Sequence, residues 1–213
     1  MTFPTGRRAR LILTAIAATA AIAAITVTAV TVSAGTVRAA ASAPPGGSAG
    51  QTLRQLRPTA APAGWRHLTL PNGTAVLSYP PGLRPLAGDR DAVSAAARLS
   101  PGGAFQLYLN ATPQQGSERL ANWAAFRLHL LRSDDAASAQ QVASAQGIKF
   151  RGGTGSCVMD RYVTRIGGHH FQEIACLVQG RTSASVVVAA APAAHWVTAQ
   201  PLLLRAVAAY LAH

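Results

Sequence analysis

Two cysteines, six histidines and seven acids are the side chains of this 213-residue chain best suited to thiol, metal or proton-transfer chemistry. The cysteines bracket one segment, CVMDRYVTRIGGHHFQEIAC, running from Cys157 to Cys176 about a Gly167-Gly168 turn. A hairpin that sets Cys157 opposite Cys176 also sets Met159 against Ile174 and Tyr162 against Phe171, both good cross-strand partners. It opposes Asp160 to Glu173 as well, and like charges face to face need compensation. Arg127, on the middle of the apolar side of a helix expected over Ser117–Arg132, is the candidate: buried, it requires a carboxylate. The expectation is an Arg127–Asp160–Glu173 ion cluster beneath that helix. The alternative, which the sequence alone favours, is a register two residues away that leaves all three groups at the surface.

Paired carboxylates can do general acid–base work or hold a cation, but one pair at strand spacing points first to a structural cluster. His169 and His170 are adjacent, so strand geometry sends them to opposite faces and away from a shared metal. Neither sits at a zinc-ligand spacing. There is no G-x-S-x-G elbow around Gly155-Ser156-Cys157, and an oxidised Cys157 is no nucleophile. The glycine pairs at 102–103, 152–153 and 167–168 read as turns rather than phosphate loops. Trp65, Trp123 and Trp196 read as core or edge anchors, with Trp196 also open to a partner contact. No catalytic residue, cofactor or metal site is expected, and an enzyme is the less favoured reading.

The formal charge is +12, and Lys149 is the only lysine. Arg7, Arg8, Arg10 and Arg38 lie in or beside an apolar leader, so residues 44–213 hold 15 basic and 7 acidic side chains, a net of +8. Such a surface draws anionic partners. No helix-turn-helix, zinc-finger or RNP-like stretch supports nucleic acid among them. The Ala, Gly, Pro and Arg usage is that of a high-GC bacterial genome.

Residues 1–10 form a basic n-region and residues 11–34 an uncharged, proline-free apolar run. Twenty-four residues in a helix reach ~36 Å, enough for a hydrocarbon core of ~30 Å. The arginines on its amino side would keep that end in the cytoplasm. The expectation is a single-pass anchor with the carboxyl side outside. Cleavage at the A-x-A-like sites near Val37–Ala40 and Ala41–Ala43 stays open and would give a secreted protein. An oxidising compartment suits a Cys157–Cys176 disulfide; two separate buried thiols are the other reading. No cysteine lies near the leader for a lipoprotein anchor. Residues 35–63, rich in Pro, Gly and Ala, are expected as a linker, and residues 64–213 as one extracytoplasmic domain.

Within the domain, Trp65–Leu70 and Thr74–Tyr79 flank an Asn72-Gly73 turn. Ala92–Leu99 is ambiguous between strand and helical turn, and Ala104–Asn110 alternates as a strand. A further strand is expected near Gln141–Arg151. Ser156–Arg165, His169–Gln179 and Ser183–Ala191 are three consecutive strands, and Ala199–Ala212 closes the chain as a helix. This is an α+β pattern: an antiparallel β-sheet flanked by two main helices. The order strands–helix–strands–helix, with Tyr79-Pro80 ending an early strand, resembles the Mog1/PsbP-like α/β/α sandwich. It is more specifically similar to small exported actinobacterial proteins of that class. The resemblance covers residues 64–213 and implies a fold, with no functional residue transferred. The function expected is a non-enzymatic, membrane-tethered or secreted module binding an envelope protein or component. The alternatives are an envelope enzyme using Asp160 and Glu173, or an electrostatic binder of anionic lipid or wall polymer.

Overall fold

The computed structural model describes residues 47–87, 90–98 and 105–213. The n-region, the apolar run 11–34 and linker residues 35–46 lie outside the described residues. Among the described residues no helix is long and apolar enough to cross a membrane.

In chain order the elements are α1 (Gly47–Arg54), β1 (Arg66–Thr69), β2 (Ala75–Tyr79), β3 (Arg84–Leu86), β4 (Val93–Arg98), β5 (Phe105–Pro113) and α2 (Trp123–Leu130). They continue with β6 (Ala136–Phe150), β7 (Gly153–Thr164), β8 (His170–Gln179), β9 (Ala184–Pro192), α3 (Trp196–Ala208) and β10 (Leu211–Ala212). Seven strands form one antiparallel sheet in the order β3-β4-β5-β9-β8-β7-β6, and β1-β2-β10 form a smaller one. The long strands β8 and β9 are buried on both faces over most of their length. Their Val-, Ile- and Ala-rich runs fit that double burial.

The two faces carry separate cores. Cys157, Met159, Ile174, Cys176, Val187 and Ala189 meet α1, α3 and the small sheet through Leu53, Leu77, Leu203 and Tyr210. Val158, Ala175, Leu177, Val186 and Val188 meet Trp123 of α2. The molecule is therefore layered, with α2 on one side of the main sheet and α1, α3 and the small sheet on the other. Both edges of the main sheet are irregular. β6 slips register against β7 at three places, between Ala136 and Ser138, Gln141 and Ala143, and Ala145 and Ile148. At the other edge β3 has three residues, one of them Pro85.

Three expectations need correcting, and one left open is settled. Part of the linker is structured: residues 47–54 form α1, and Leu53 and Leu56 are buried in the core. An eight-residue helix among Gly and Pro shows too little periodicity to be read, and tertiary packing sustains it. The helix expected from Ser117 begins only at Trp123. Before it, side chains take the backbone groups a helix would use. Gln115 N–H donates to Glu118 Oε1 at 2.7 Å, Arg119 N–H to Asn122 Oδ1 at 2.6 Å, and Asn122 Nδ2 to the Ser117 carbonyl at 3.3 Å. Such local bonds favour loops over helices. The ambiguous Ala-rich stretch is the strand β4, paired along both sides. The last helix stops at Ala208, and Leu211 and Ala212 join β2 instead.

That ending is fixed by burial. Tyr210 is fully buried and its hydroxyl bonds the Ser185 hydroxyl at 2.8 Å. Ala212 N–H then donates to the Arg151 carbonyl, and His213 N–H to the Thr74 carbonyl, both at 2.9 Å. The close approach depends on Gly152, which has φ +80° and where a Cβ would overlap the Ala212 carbonyl. Gly168 also has positive φ (+61°) but nothing lies within 4 Å of its Cβ position. Gly168→Ala should cost the left-handed strain alone, about 1–2 kcal/mol. Gly152→Ala should cost more in urea unfolding, because the carboxyl-terminal strand must also be displaced.

Candidate functional site

α2 positions Arg127, and the β7–β8 hairpin positions the two cysteines, the two carboxyls and the adjacent histidines. Its register pairs Cys157 with Cys176, Met159 with Ile174, Asp160 with Glu173 and Tyr162 with Phe171. Cys157 and Cys176 are joined by a disulfide, with Cα atoms 4.1 Å apart and both side chains fully buried. Alternation along the strands sends the disulfide to the α1–α3 face and Asp160 and Glu173 to the α2 face.

Across that face lie Trp123, Arg127 and Leu131, spaced four apart on one stripe and each no more than 5 % exposed. Trp123 Nε1 donates to the Ala175 carbonyl at 2.9 Å. Arg127 forks onto Glu173, Nε to Oε1 at 2.7 Å and Nη2 to Oε2 at 2.9 Å. Two parallel charge-assisted bonds make this the strongest form of the contact. Asp160 completes the cluster differently: it is 0 % exposed and neither carboxylate oxygen has a hydrogen-bond partner.

One guanidinium thus answers two carboxyls, and the electrostatics follow. Burial would lower the Arg127 pKa, but the Glu173 charge and hydrogen bonds outweigh it, so the guanidinium stays firmly protonated. Burial, and then the Glu173 charge, push the Asp160 carboxyl up to about 7, against smaller opposing attractions from Arg127 and Arg132. Below that pH Asp160 holds its proton and adds no second negative charge beside the Arg127–Glu173 ion pair. Tyr162, stacked on Phe171 with ring centroids 5.8 Å apart, is also raised by burial and by Glu173.

A turn of π-helix, residues 131–135, leads from α2 into β6 and closes the cluster's flank. It is held by arginines: Arg165 Nη2 donates to the Arg132 and Ala136 carbonyls at 2.9 and 3.1 Å, and Arg132 Nη2 to the Ala139 carbonyl at 3.0 Å. Asp135 in this turn is half-buried, and burial pushes its carboxyl up to about 6, with Arg127 opposing. Asp135 was invisible to sequence reasoning, because only the π turn carries it toward Arg127.

Chemically, a carboxyl holding a proton near pH 7 beside an ionised one could relay protons. Here both are sealed under α2. A recess of ≈ 300 Å³ at one end of the sheet is lined by Ser138, Gln140, Arg161, Val163 and His170 among others, and one of ≈ 570 Å³ lies along α3; neither includes Asp160 or Glu173. His169 and His170 are exposed. Among the described residues no group of three His, Cys, Asp or Glu side chains could hold a metal ion.

Arg127→Leu should lower stability by about 3–5 kcal/mol, the usual cost of stranding a buried partner. Arg127→Leu combined with Glu173→Leu should recover most of that loss in chemical unfolding, as apolar replacements of whole pairs do. Asp160 sets a pH trend of definite sign. Its folded pKa lies above the unfolded value of ~3.9, so between those limits the folded state binds the extra proton. Stability should therefore fall as pH rises from about 4 to about 7, with Asp135 adding to the lower half of that window. Melting curves of Asp160→Asn across this range should be flatter than those of the parent.

No family model and no curated protein matches the chain. Solved structures do. The cyanobacterial PsbP protein CyanoP from Synechocystis sp. PCC 6803 is 12 % identical, with 72 % of this chain and 95 % of that one covered, at a TM-score of 0.50. PA94 of Pseudomonas aeruginosa, a protein of unknown function, is 12 % identical over 65 % of this chain and 90 % of its own, at a TM-score of 0.42. LpqN, involved in cell envelope biogenesis of Mycobacterium tuberculosis, is 12 % identical over 69 % and 89 %, at 0.40. At such identity the likeness concerns the fold. The chain is an α+β sandwich of the PsbP-like kind.

Proposed function

We propose that the chain is a non-enzymatic module held on the outer side of a membrane by residues 11–34, where its domain binds a protein or another component of the cell envelope. The observation that carries this reading is the buried Cys157–Cys176 disulfide downstream of an Arg-flanked apolar run. Structural disulfides persist in oxidising compartments, and the run is the one feature of the sequence able to bring the domain there. The binding role is supported by what the core does with its reactive groups. Glu173 holds α2, Asp160 is sealed beside it without a hydrogen-bond partner, the cysteines are joined to each other, and His169 and His170 are exposed at the hairpin turn.

Acid-quenched cells, denatured and treated with a thiol-reactive mass tag, test the compartment. No tag before reduction and two tags after it are expected. In the same cells, protease added to spheroplasts should digest the domain. The protein should remain in carbonate-washed membranes if the anchor is kept and appear in the medium if it is cleaved. Tagging of both cysteines without reduction, in a domain shielded from protease, would place it inside and end the proposal.

A further inference from the structure

The acids of the domain are segregated by layer, while its arginines lie on both. Of the acids among the described residues, Glu118, Asp134, Asp135, Asp160 and Glu173 all lie in or under the α2 layer; Asp91 lies in the turn before β4. The opposite layer, made of α1, the small sheet and α3, contains no acid at all. It carries Arg54, Arg57, Arg66 and Arg205, every one exposed.

Within that layer the segment after α1 runs beside α3, tied to it by the Thr59 N–H donating to the Ala208 carbonyl at 3.0 Å. Between them lies the recess of ≈ 570 Å³, lined by Leu56, Pro62, Leu204 and Ala208 and flanked by Arg57 and Arg205. Arg57 is held in place, with Nη1 donating to the Arg54 and Leu56 carbonyls at 2.8 and 2.9 Å. An apolar floor between two arginines suits an amphiphile with an anionic head. An acidic polymer would use the charges and leave the floor exposed.

The chain also enters the domain on this layer. The apolar run ends at residue 34 and α1 begins at Gly47. The twelve residues between span at most ~40 Å even when fully extended. We infer that the α1–α3 layer docks on an anionic lipid bilayer, the arginines taking phosphate oxygens and the recess taking apolar parts of the same lipid. The inference rests on the membrane-tethered reading and names the surface that reading leaves open. An arginine near an anionic bilayer strengthens attachment roughly fivefold, and the attraction is screened by salt.

The test uses the full chain reconstituted in vesicles of phosphatidylcholine, alone or mixed with phosphatidylglycerol, and hydrogen exchange of residues 52–61 and 202–208. Exchange of these segments should slow by roughly tenfold or more in the anionic vesicles only, and return to its free rate at high salt. Arg57→Gln with Arg205→Gln should remove the slowing while the domain stays folded, its melting temperature falling by no more than the loss of Arg57's two bonds to the Arg54 and Leu56 carbonyls allows. Equal exchange in the two vesicle types overturns the inference, as does full protection in the double variant. Equal protection by soluble polyphosphate on phosphatidylcholine vesicles overturns it in favour of a polymer. Failure of the chain to float with phosphatidylcholine vesicles removes the tether alone. Docking is then judged by flotation with the anionic vesicles, which supports it if present and overturns it if absent.

Discussion

The contact on which the rest of the domain depends is the fork of Arg127 onto Glu173. Two charge-assisted bonds of 2.7 and 2.9 Å, sealed between a helix and a sheet, tolerate little displacement. Such a pair need not make the protein more stable than apolar residues of the same volume would. It does specify where α2 sits. A helix held by Trp123 and Leu131 alone could slide on a surface of Val and Ala, because dispersion contacts are not directional. With Arg127 committed to both oxygens of Glu173, the rotation and the height of α2 over β8 are set together.

The disulfide sets the same register from the opposite face. Sliding β7 against β8 by two residues would part Cys157 from Cys176 and Asp160 from Glu173 in one step, and a one-residue slip would turn each side chain to the wrong face. Two chemically unrelated devices thus converge on one hairpin. The second carboxyl, Asp160, is the cost of that arrangement, carried near neutrality by a proton rather than by a second cation. Acids gathered around α2 leave the other layer basic, so the internal solution and the surface charge have a common origin.

Much of this was legible because it follows period and pairing. The three long strands and the Asn72-Gly73 hairpin come from counting along an antiparallel ladder, and so do the opposed cysteine, carboxyl and aromatic pairs; the register two residues away that the sequence alone favoured is overturned by the burial of Arg127, Asp160 and Glu173. Arg127 announced itself as a charge on an apolar stripe. What could not be read depended on contacts distant in sequence. Leu53 and Leu56 look like linker residues until the sheet they cover is known. Ser117 looks like a helix cap until the side chains of Glu118 and Asn122 are seen bonding the backbone of Gln115, Ser117 and Arg119. Tyr210 looks like one more apolar helical position until Ser185 claims its hydroxyl and the chain turns to extend β2. That Asp160 has no hydrogen-bond partner was equally hidden, since the sequence offers three charges for a cluster but not which of them pair.

The two edges of the main sheet carry a consequence for recognition. Open strand edges invite another chain to add itself by backbone hydrogen bonding, and natural sheets blunt them with bulges, brevity and proline. Here one edge is broken by three register shifts in β6, and the other is the three-residue strand containing Pro85. Neither presents a regular ladder long enough for a peptide to zip onto. Strand addition to the main sheet is thereby disfavoured, so the proposed binding role would rest on side chains of the layers rather than on a ladder at these two edges.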